Sequence, residues 1–265
     1  MALGFILTGY YQNLIALTSL IIVHELGHYL TAKLLKFNVS QIIIYPYGGL
    51  TKIKDLINRD INEELLIAVS GVLFQTIFFL IILYLNKINL IRDYTLNIFT
   101  SYHRDIIFFN LLPIYPLDGS KILNLLLSKY LNYNLSNKLT IIISLISIII
   151  LLSLNIYNYN YSYIMILMIL VTYITKYIKD LKYIYNKFLL ERYIYNITYP
   201  KTIIINNKDK MYKNKTHIFK INNKYIKEKK YLTKYFSKWY TFLFFFAIII
   251  NSKRSWVKWS LIFKF

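Results

Sequence analysis

Long apolar stretches separated by short polar ones dominate the first two thirds of this 265-residue chain. A helix needs about 20 consecutive apolar residues to cross a bilayer, and several stretches reach or approach that length. We predict transmembrane helices over about Leu14–Leu35, Leu65–Leu85, Ile106–Leu117, Leu139–Ile156 and Tyr161–Ile178. The pattern therefore predicts an all-α polytopic membrane protein with about five to six transmembrane helices.

The pattern changes from helical to extended between the first two predicted helices. Residues 39–50 are rich in β-branched side chains and contain Pro46 followed by Gly48 and Gly49. Such a run, ended by proline and glycine, predicts a strand and a turn. A charged stretch over residues 52–64 separates this segment from the next predicted helix.

Basic residues are concentrated after the last predicted helix. Residues 179–265 contain 20 Lys or Arg against 4 Asp or Glu and carry +16 of the formal charge of +20. Loops that follow odd-numbered helices are also the more basic ones, so the positive-inside rule predicts a cytoplasmic C-terminal region in a multi-pass cell-membrane protein. Topology and the Ile, Lys and Asn usage of an AT-rich genome account for this charge, so we expect no nucleic-acid partner.

The first predicted helix carries two imidazoles and a carboxylate in an otherwise apolar setting, at His24, Glu25 and His28. A charged side chain at the bilayer centre costs roughly 2.5–3.5 kcal/mol on insertion scales, which favours a functional reading. Residues four apart share a helix face, so His24 and His28 can bind one metal ion. Glu25 beside them can take a proton from an activated water. The alternative is a histidine pair satisfied by neighbouring helices.

A third ligand must come from His, Asp or Glu, because the chain has no cysteine. Asp118, within residues 110–119, is the downstream acid in a comparably apolar setting. At 1.5 Å per residue, His24 and His28 lie ~15–21 Å and Asp118 ~20 Å from the same face of the membrane. Three such ligands leave a fourth position open for water, as catalytic zinc sites do. The alternative for Asp118 is a helix N-cap.

These motifs are similar to those of the site-2 protease family of intramembrane zinc metalloproteases, which carry His-Glu-x-x-His in one core helix and Leu-Asp-Gly in a later one. The likeness covers most of residues 3–193. It implies one zinc ion per chain bound by His24, His28 and Asp118, with Glu25 as the general base. The implied reaction is hydrolysis of a peptide bond in a membrane-associated precursor near the cytoplasmic side, as in regulated intramembrane proteolysis.

The resemblance also implies roles for residues outside the ligand set. Asn110 is expected to assist at the active site. Substrate positioning is implied for residues of the broken third helix and of a short membrane-associated β or re-entrant turn that can hold an extended substrate. These positioning residues are Pro113, Pro116, Pro46, Gly48 and Gly49.

Two positions depart from the family pattern, and two further polar residues lie in the predicted helices. The chain has Gly71-Val72 where a Gly-Pro pair is expected, and Ser120 where a second glycine is expected. Gln75, in the second predicted helix, is expected to form hydrogen bonds within the bundle. His103 is expected at the outer end of the third helix.

By resemblance the chain divides into a transmembrane metalloprotease domain (1–178), a cytoplasmic basic region that is a reduced relative of a cystathionine-β-synthase-type domain (179–236), and an apolar, basic tail without an assigned role (237–265). The implied partners are a pro-sigma-like precursor as substrate, membrane-bound inhibitor proteins, the lipid bilayer and a second copy in a homo-oligomer. Two other classes fit the residues: a non-proteolytic zinc-binding relative that binds partners or senses, and a zinc-conducting protein. Transport does not call for Glu25, which favours the protease.

Overall fold

The computed structural model describes residues 9–45, 48–53, 57–155, 161–221 and 223–237. Within these ranges the long helices are α1 Tyr11–Leu34, α2 Ile61–Lys87, α3 Asp93–Leu111, α4 Asp118–Tyr130, α5 Tyr133–Asn155 and α6 Tyr161–Tyr195. The strands are β1 Val39–Tyr45, β2 Gly48–Ile53, β3 Thr202–Ile205, β4 Thr216–Ile221 and β5 Lys224–Lys227. Residues 208–210 form a 3-10 turn, and residues 228–237 are helical.

Three of the described helices are long and apolar enough to cross a membrane: α1, α2 and the first 21 residues of α5. They coincide with the first, second and fourth predicted helices. Large apolar side chains on their outer faces, such as Ile15, Leu73 and Ile149, are more than half exposed, whereas His24 and Gln75 are buried. An apolar exterior around a polar interior is what lipid, rather than water, favours as the surrounding solvent.

The predicted third helix over residues 106–117 is wrong at both ends. Helix α3 begins at Asp93 and ends at Leu111, and a non-helical connection leads to α4. Pro113 and Pro116 explain the break, because proline lacks an N–H donor and disfavours helical backbone at the residue before it. His103 therefore lies in the middle of α3 rather than at an outer helix end.

The strand predicted before Pro46 is confirmed as β1, which pairs with β2 in an antiparallel hairpin. Tyr45 is opposite Gly48, so the two glycines form the start of β2. Pro46 itself lies outside the described residues, as do residues 238–265, which make up nearly all of the predicted tail.

Helix α6 includes the fifth predicted helix and continues to Tyr195, so the expected domain boundary after residue 178 falls within it. Beyond it, β3 pairs with β4 in parallel and β4 pairs with β5 antiparallel. A core joins this sheet to the end of α6. Its fully buried members are Phe188, Leu189, Met211, Phe219 and Leu232.

Helices α1 and α2 cross closely because small residues line their contact. A Cβ atom on Gly27 would lie 2.7 Å from the Ser70 carbonyl oxygen and 2.8 Å from Phe74 Cβ, so only glycine fits there. The Ser70 hydroxyl donates a hydrogen bond to the Gly27 carbonyl oxygen at 3.1 Å. Glycine and serine commonly allow such close approach of membrane helices. This crossing places α2 against the two histidines of α1.

Candidate metal centre

Three acceptor atoms converge inside the helical bundle. His24 Nε2 lies 3.1 Å from His28 Nε2, and Asp118 Oδ2 lies 3.1 Å and 2.9 Å from the two nitrogens, respectively. All three side chains are buried, with 2–6% of their surface exposed. We call these residues the metal centre. The i, i+4 spacing on α1 brings the two rings together, as the sequence predicted.

Hydrogen bonds on the far side of each ring determine which nitrogen carries the proton. His28 Nδ1 lies 2.7 Å from the Ile67 carbonyl oxygen, which can only accept, so Nδ1 is the donor. His24 Nδ1 lies 3.0 Å from Gln75 Oε1, which is likewise an acceptor. In its neutral form, each ring with a proton on Nδ1 points an Nε2 lone pair toward the Asp118 carboxylate. Three lone pairs facing one another in a buried space repel unless a cation lies between them.

The geometry and donor chemistry of the metal centre fit a zinc ion. Tetrahedral zinc with bonds of 2.0–2.1 Å separates its ligand atoms by about 3.3 Å, close to the spacing described above. Gly71 leaves room beside the donors, because a Cβ atom there would lie 2.3 Å from His28 Nε2 and 2.7 Å from His24 Nε2. Among the described residues, no other group of three His, Asp or Glu side chains has this arrangement.

Asp118 reaches the centre as the first residue of α4. Its Oδ1 atom accepts a hydrogen bond from Lys121 Nζ at 2.8 Å, which leaves Oδ2 directed at the imidazoles. A carboxylate in the first turn of a helix is also favoured by the helix dipole. Gly119 allows this position, because a Cβ atom there would lie 2.1 Å from the Leu111 carbonyl oxygen.

The connection before α4 contains Pro113 and Pro116, and a hydroxyl from α5 satisfies its backbone. Ser144 Oγ donates to the Pro113 carbonyl oxygen at 3.0 Å and accepts from the Tyr115 N–H at 3.2 Å. Irregular backbone at membrane depth requires such partners. Ser144 thus supports the segment that carries Asp118, and among the described residues neither proline forms a hydrogen bond with the three ligand atoms.

The remaining predicted site residues lie at different places. Glu25 is buried on α1 next to His24 and interacts electrostatically with Lys121. Asn110 lies in the last turn of α3 and is half-buried. Among the described residues, no hydrogen bond joins its amide to the metal centre. Gly48 and Gly49 belong to the hairpin that follows α1.

Sequence reasoning missed several residues that shape the centre. The sequence pattern marks Gly71 only as part of an altered Gly-Pro pair, and it marks Lys121 only as one of the basic residues after the third predicted helix. The lysine lies three residues after Asp118 on a helix, where ion pairs are common, so its spacing was a usable signal. The carbonyl of Ile67 left no signal, because a backbone oxygen has no sequence signature.

A second buried polar cluster lies in the C-terminal region and consists of Arg192, His217 and Glu228, which we call the C-terminal cluster. Glu228 accepts hydrogen bonds from Arg192 Nε and Nη2 and, at 2.9 Å, from His217 Nδ1. His217 Nε2 accepts the Tyr212 N–H at 2.9 Å, so the ring is neutral. Arg192 also donates to the Asn58 side chain at 3.4 Å and thereby reaches the segment before α2.

The pKa values in the C-terminal cluster follow from these contacts. Burial lowers the pKa of His217, and the nearby Arg192 cation lowers it further, against the opposing effect of Glu228. Burial alone raises the pKa of Glu228, yet hydrogen bonds from His217 and Arg192 outweigh it and hold that pKa below its ordinary value. The fold therefore favours a carboxylate beside a neutral imidazole.

Comparison with known proteins assigns the chain to a family. The sequence pattern of peptidase family M50 matches residues 12–103 and 86–154. Stage IV sporulation protein FB of Bacillus subtilis is 32% identical over 194 residues, which cover 72% of this chain and 67% of that protein. A zinc metalloprotease of Methanocaldococcus jannaschii is 33% identical over 124 residues, which cover 45% of this chain and 35% of the relative.

A solved structure is similar as well. The site-2 protease from Methanocaldococcus jannaschii superposes with a TM-score of 0.51 at 25% identity, over 61% of this chain and 75% of that one. The matched region of the family pattern includes both histidines and Asp118. The metal centre therefore belongs to the part of the chain that the family pattern covers.

Proposed function

The chain belongs to peptidase family M50, whose members are zinc metalloproteases, and from that premise we propose that its metal centre cleaves a membrane-associated precursor within or beside the membrane. The convergence of His24 Nε2, His28 Nε2 and Asp118 Oδ2 on one buried point carries the proposal. Two imidazoles and a carboxylate match the ligand number of catalytic zinc sites, which keep a fourth position for water or substrate.

In this proposal, the chain's own residues hold the ion and manage the protons. His24, His28 and Asp118 bind zinc, and Lys121 restricts Asp118 to one ligand oxygen by occupying the other. A zinc ion held there supplies Lewis acidity, which activates water near neutral pH and polarises the scissile carbonyl. Burial excludes other water from the centre, which strengthens these electrostatic effects.

Glu25 is the general base of the proposal. It is adjacent in sequence to a ligand, buried, and electrostatically close to the Lys121 cation. It takes the proton of the attacking water and later gives it to the leaving amine. Asn110 is proposed to hold the substrate or polarise its carbonyl.

The substrate is proposed to bind as an extended strand. Hairpin β1–β2 follows α1 directly, and addition of a strand to its edge satisfies the backbone of an unwound substrate. Pro46, Gly48, Gly49, Pro113 and Pro116 are proposed to shape this path. We propose a pro-sigma factor as the specific substrate.

The arrangement relative to the membrane is also a proposal. The concentration of Lys and Arg after residue 178 supports a cytoplasmic C-terminal region, and hence a cut near the cytoplasmic side. Under this proposal, residues 1–178 are the transmembrane protease domain, and residues 179–236 are the reduced cystathionine-β-synthase-type region. Helices α3, α4 and α6 complete a multi-pass bundle around the three long apolar helices.

Co-expression with an epitope-tagged, membrane-associated pro-sigma precursor tests the proposal. Wild type is expected to shorten the precursor, whereas Glu25→Gln is expected to abolish cleavage and still purify with one zinc ion per chain, because the ligands are intact. Zinc content is measured by atomic spectroscopy, and cleavage is measured by immunoblot. Equal cleavage by the two proteins would contradict the mechanism.

Two controls make the result specific. Glu63→Gln replaces a partly exposed carboxylate in the first turn of α2 that pairs with Arg59, and it is expected to cleave as wild type does. An unrelated single-span membrane protein, co-expressed in place of the precursor, tests substrate specificity. Its cleavage at the same rate would contradict pro-sigma specificity, and zinc binding without cleavage of either protein would favour a non-proteolytic zinc-binding relative.

A further inference from the structure

Gln75 is a fully buried amide on α2 that joins three helices. Its Oε1 atom lies 3.0 Å from His24 Nδ1 on α1, and its Nε2 atom lies 3.3 Å from both the carbonyl oxygen and Nδ1 of His103 on α3. We propose that Gln75 is a positioning residue, which fixes the orientation and tautomer of His24 so that its Nε2 lone pair faces the metal ion. This inference rests on the proposed function.

The orientation of the amide follows from one backbone oxygen. The carbonyl of His103 can only accept hydrogen bonds, so the side of the amide that faces it must be the NH2 group. The amide oxygen then faces His24, and His24 Nδ1 must carry the proton. A proton on Nδ1 leaves the lone pair on Nε2, which is the atom directed at His28 and Asp118.

The surroundings of Gln75 hold this orientation. The His103 ring stacks on Phe79, with ring centroids 4.1 Å apart and planes 11° from parallel. This stacking restrains His103, the hydrogen-bond partner of Gln75 on α3. A buried amide costs several kcal/mol if its groups lack partners, so a flip that set NH2 against the His24 donor is strongly disfavoured. Metal-binding histidines commonly depend on such an outer partner, and its loss lowers metal affinity about 10–100-fold.

A space-filling role and a positioning role for Gln75 predict opposite orders of zinc affinity for two substitutions. If Gln75 only fills space, Gln75→Leu is mild and Gln75→Glu is harmful, because the latter buries a charge. If Gln75 positions His24, Gln75→Leu removes the acceptor for Nδ1–H, whereas Gln75→Glu keeps an acceptor in the same place. Thr76→Ala on the same helix is a matched control, because among the described residues the Thr76 hydroxyl bonds only to the Val72 carbonyl of its own helix, at 2.7 Å.

The test measures metal binding by the full-length protein in detergent, without a substrate. Zinc affinity is measured by competition with a chromophoric chelator, and the visible spectrum of the cobalt-substituted protein reports the ligand geometry. We expect Gln75→Leu to lower zinc affinity 10–100-fold and shift the cobalt bands, Gln75→Glu to bind within a few-fold of wild type, and Thr76→Ala to match wild type. Nitrogen NMR of the zinc-loaded wild type should show His24 protonated at Nδ1.

The outcomes separate this inference from the proposed function. Wild-type zinc affinity and an unchanged cobalt spectrum in Gln75→Leu would overturn the positioning role, as would weaker binding by Gln75→Glu than by Gln75→Leu. If Gln75→Leu does not fold, the Gln75→Glu affinity and the wild-type nitrogen spectrum decide the question. A wild type that binds no zinc would reject the proposed function itself.

Discussion

The metal centre and the C-terminal cluster are both buried sets of ionisable side chains, and they differ in how donors meet acceptors. In the C-terminal cluster, the Glu228 carboxylate receives hydrogen bonds from a guanidinium and an imidazole, and the remaining imidazole nitrogen accepts a backbone N–H. In the metal centre, two imidazole lone pairs and a carboxylate oxygen face each other. The first set pairs its donors with acceptors, whereas the facing atoms of the second set are all acceptors when both rings are neutral, an arrangement that favours a bound cation.

This difference shows that burial of ionisable groups does not identify function by itself. Structural networks and functional sites both bury charge and both shift pKa values. The distinguishing property is the balance of donors and acceptors, because buried polar groups that serve only structure are paired with one another. The hydrogen-bond partner of each imidazole Nδ1 decides that balance, because it determines which ring nitrogen carries the proton. This partner is a backbone carbonyl oxygen for His28 and an amide oxygen for His24.

The largest effect on folding is expected from Arg192→Met in the C-terminal cluster. Removing the guanidinium leaves the Glu228 carboxylate buried without its main partner, which costs about 3–5 kcal/mol of unfolding free energy. Denaturant titration of the detergent-solubilised protein, followed by circular dichroism, measures the loss. Zinc affinity of the folded fraction is expected to stay within twofold of wild type, because the two clusters share no hydrogen bond among the described residues.

Two variants sharpen this prediction. Lys187→Met lies on the same helix and removes a lysine that is 42% exposed and 3.7 Å from Glu191, so it is expected to cost less than about 1 kcal/mol. Adding Glu228→Leu to Arg192→Met removes the stranded carboxylate and is expected to recover part of the loss. A loss of zinc in Arg192→Met equal to its loss of stability would show that the clusters are not independent.

The next largest effect is expected from Gly71→Ala in the metal centre. A methyl group 2.3 Å from His28 Nε2 and 2.7 Å from His24 Nε2 forces the rings to move by about 1 Å, and displacement of that size costs about 10²-fold in activity. Cleavage of the tagged precursor and zinc content should fall together, unlike in Glu25→Gln. Val72→Ala, the adjacent substitution on the same helix, is expected to keep both.

Normal zinc content in Gly71→Ala would contradict the idea that a missing Cβ keeps the space for the ion. Helical circular dichroism of the variant provides the folding check, because the lost space affects the ligands and not the helices. An unchanged helical signal together with lost zinc would assign the effect to the centre.

The local spacing of residues in the sequence made the metal centre predictable. The pair His24 and His28 was predictable because an i, i+4 repeat shares a helix face, and Asp118 because an acid in an apolar segment needs a reason to be there. The break that delivers Asp118 was visible in Pro113 and Pro116. The apolar character of residues 106–117 nevertheless predicted the wrong bounds for the helix around that break, because α3 begins at Asp93 and ends at Leu111.

The C-terminal cluster was not predictable from spacing. Arg192 meets Asn58 across 134 residues of sequence and Glu228 across 36, and no periodicity relates them. The basic residues around His217 are typical of a solvated region, but the His217 side chain is 1% exposed. Contacts of this kind depend on how α6 packs against the sheet and the segment before α2, which the sequence pattern does not specify.

The smallest effect is expected from lowering the pH of the metal-free protein. It tests whether His217 of the C-terminal cluster is neutral in the folded state. The pKa values of His217 and Glu228 are both lowered by folding, so the unfolded chain binds more protons and stability falls as pH decreases. The contribution of His217 is complete above its ordinary pKa of about 6.5 and decreases below it, and that of Glu228 decreases below about 4.5. One proton limits each slope to about 1.4 kcal/mol per pH unit.

His217→Gln keeps a donor and an acceptor without titrating, so metal-free protein carrying it should lose less stability than metal-free wild type between pH 6.5 and 5. The same dependence of stability on pH in both proteins would mean that His217 is already protonated in the folded state. The C-terminal cluster would then contain a charged imidazole, which would contradict its contrast with the metal centre.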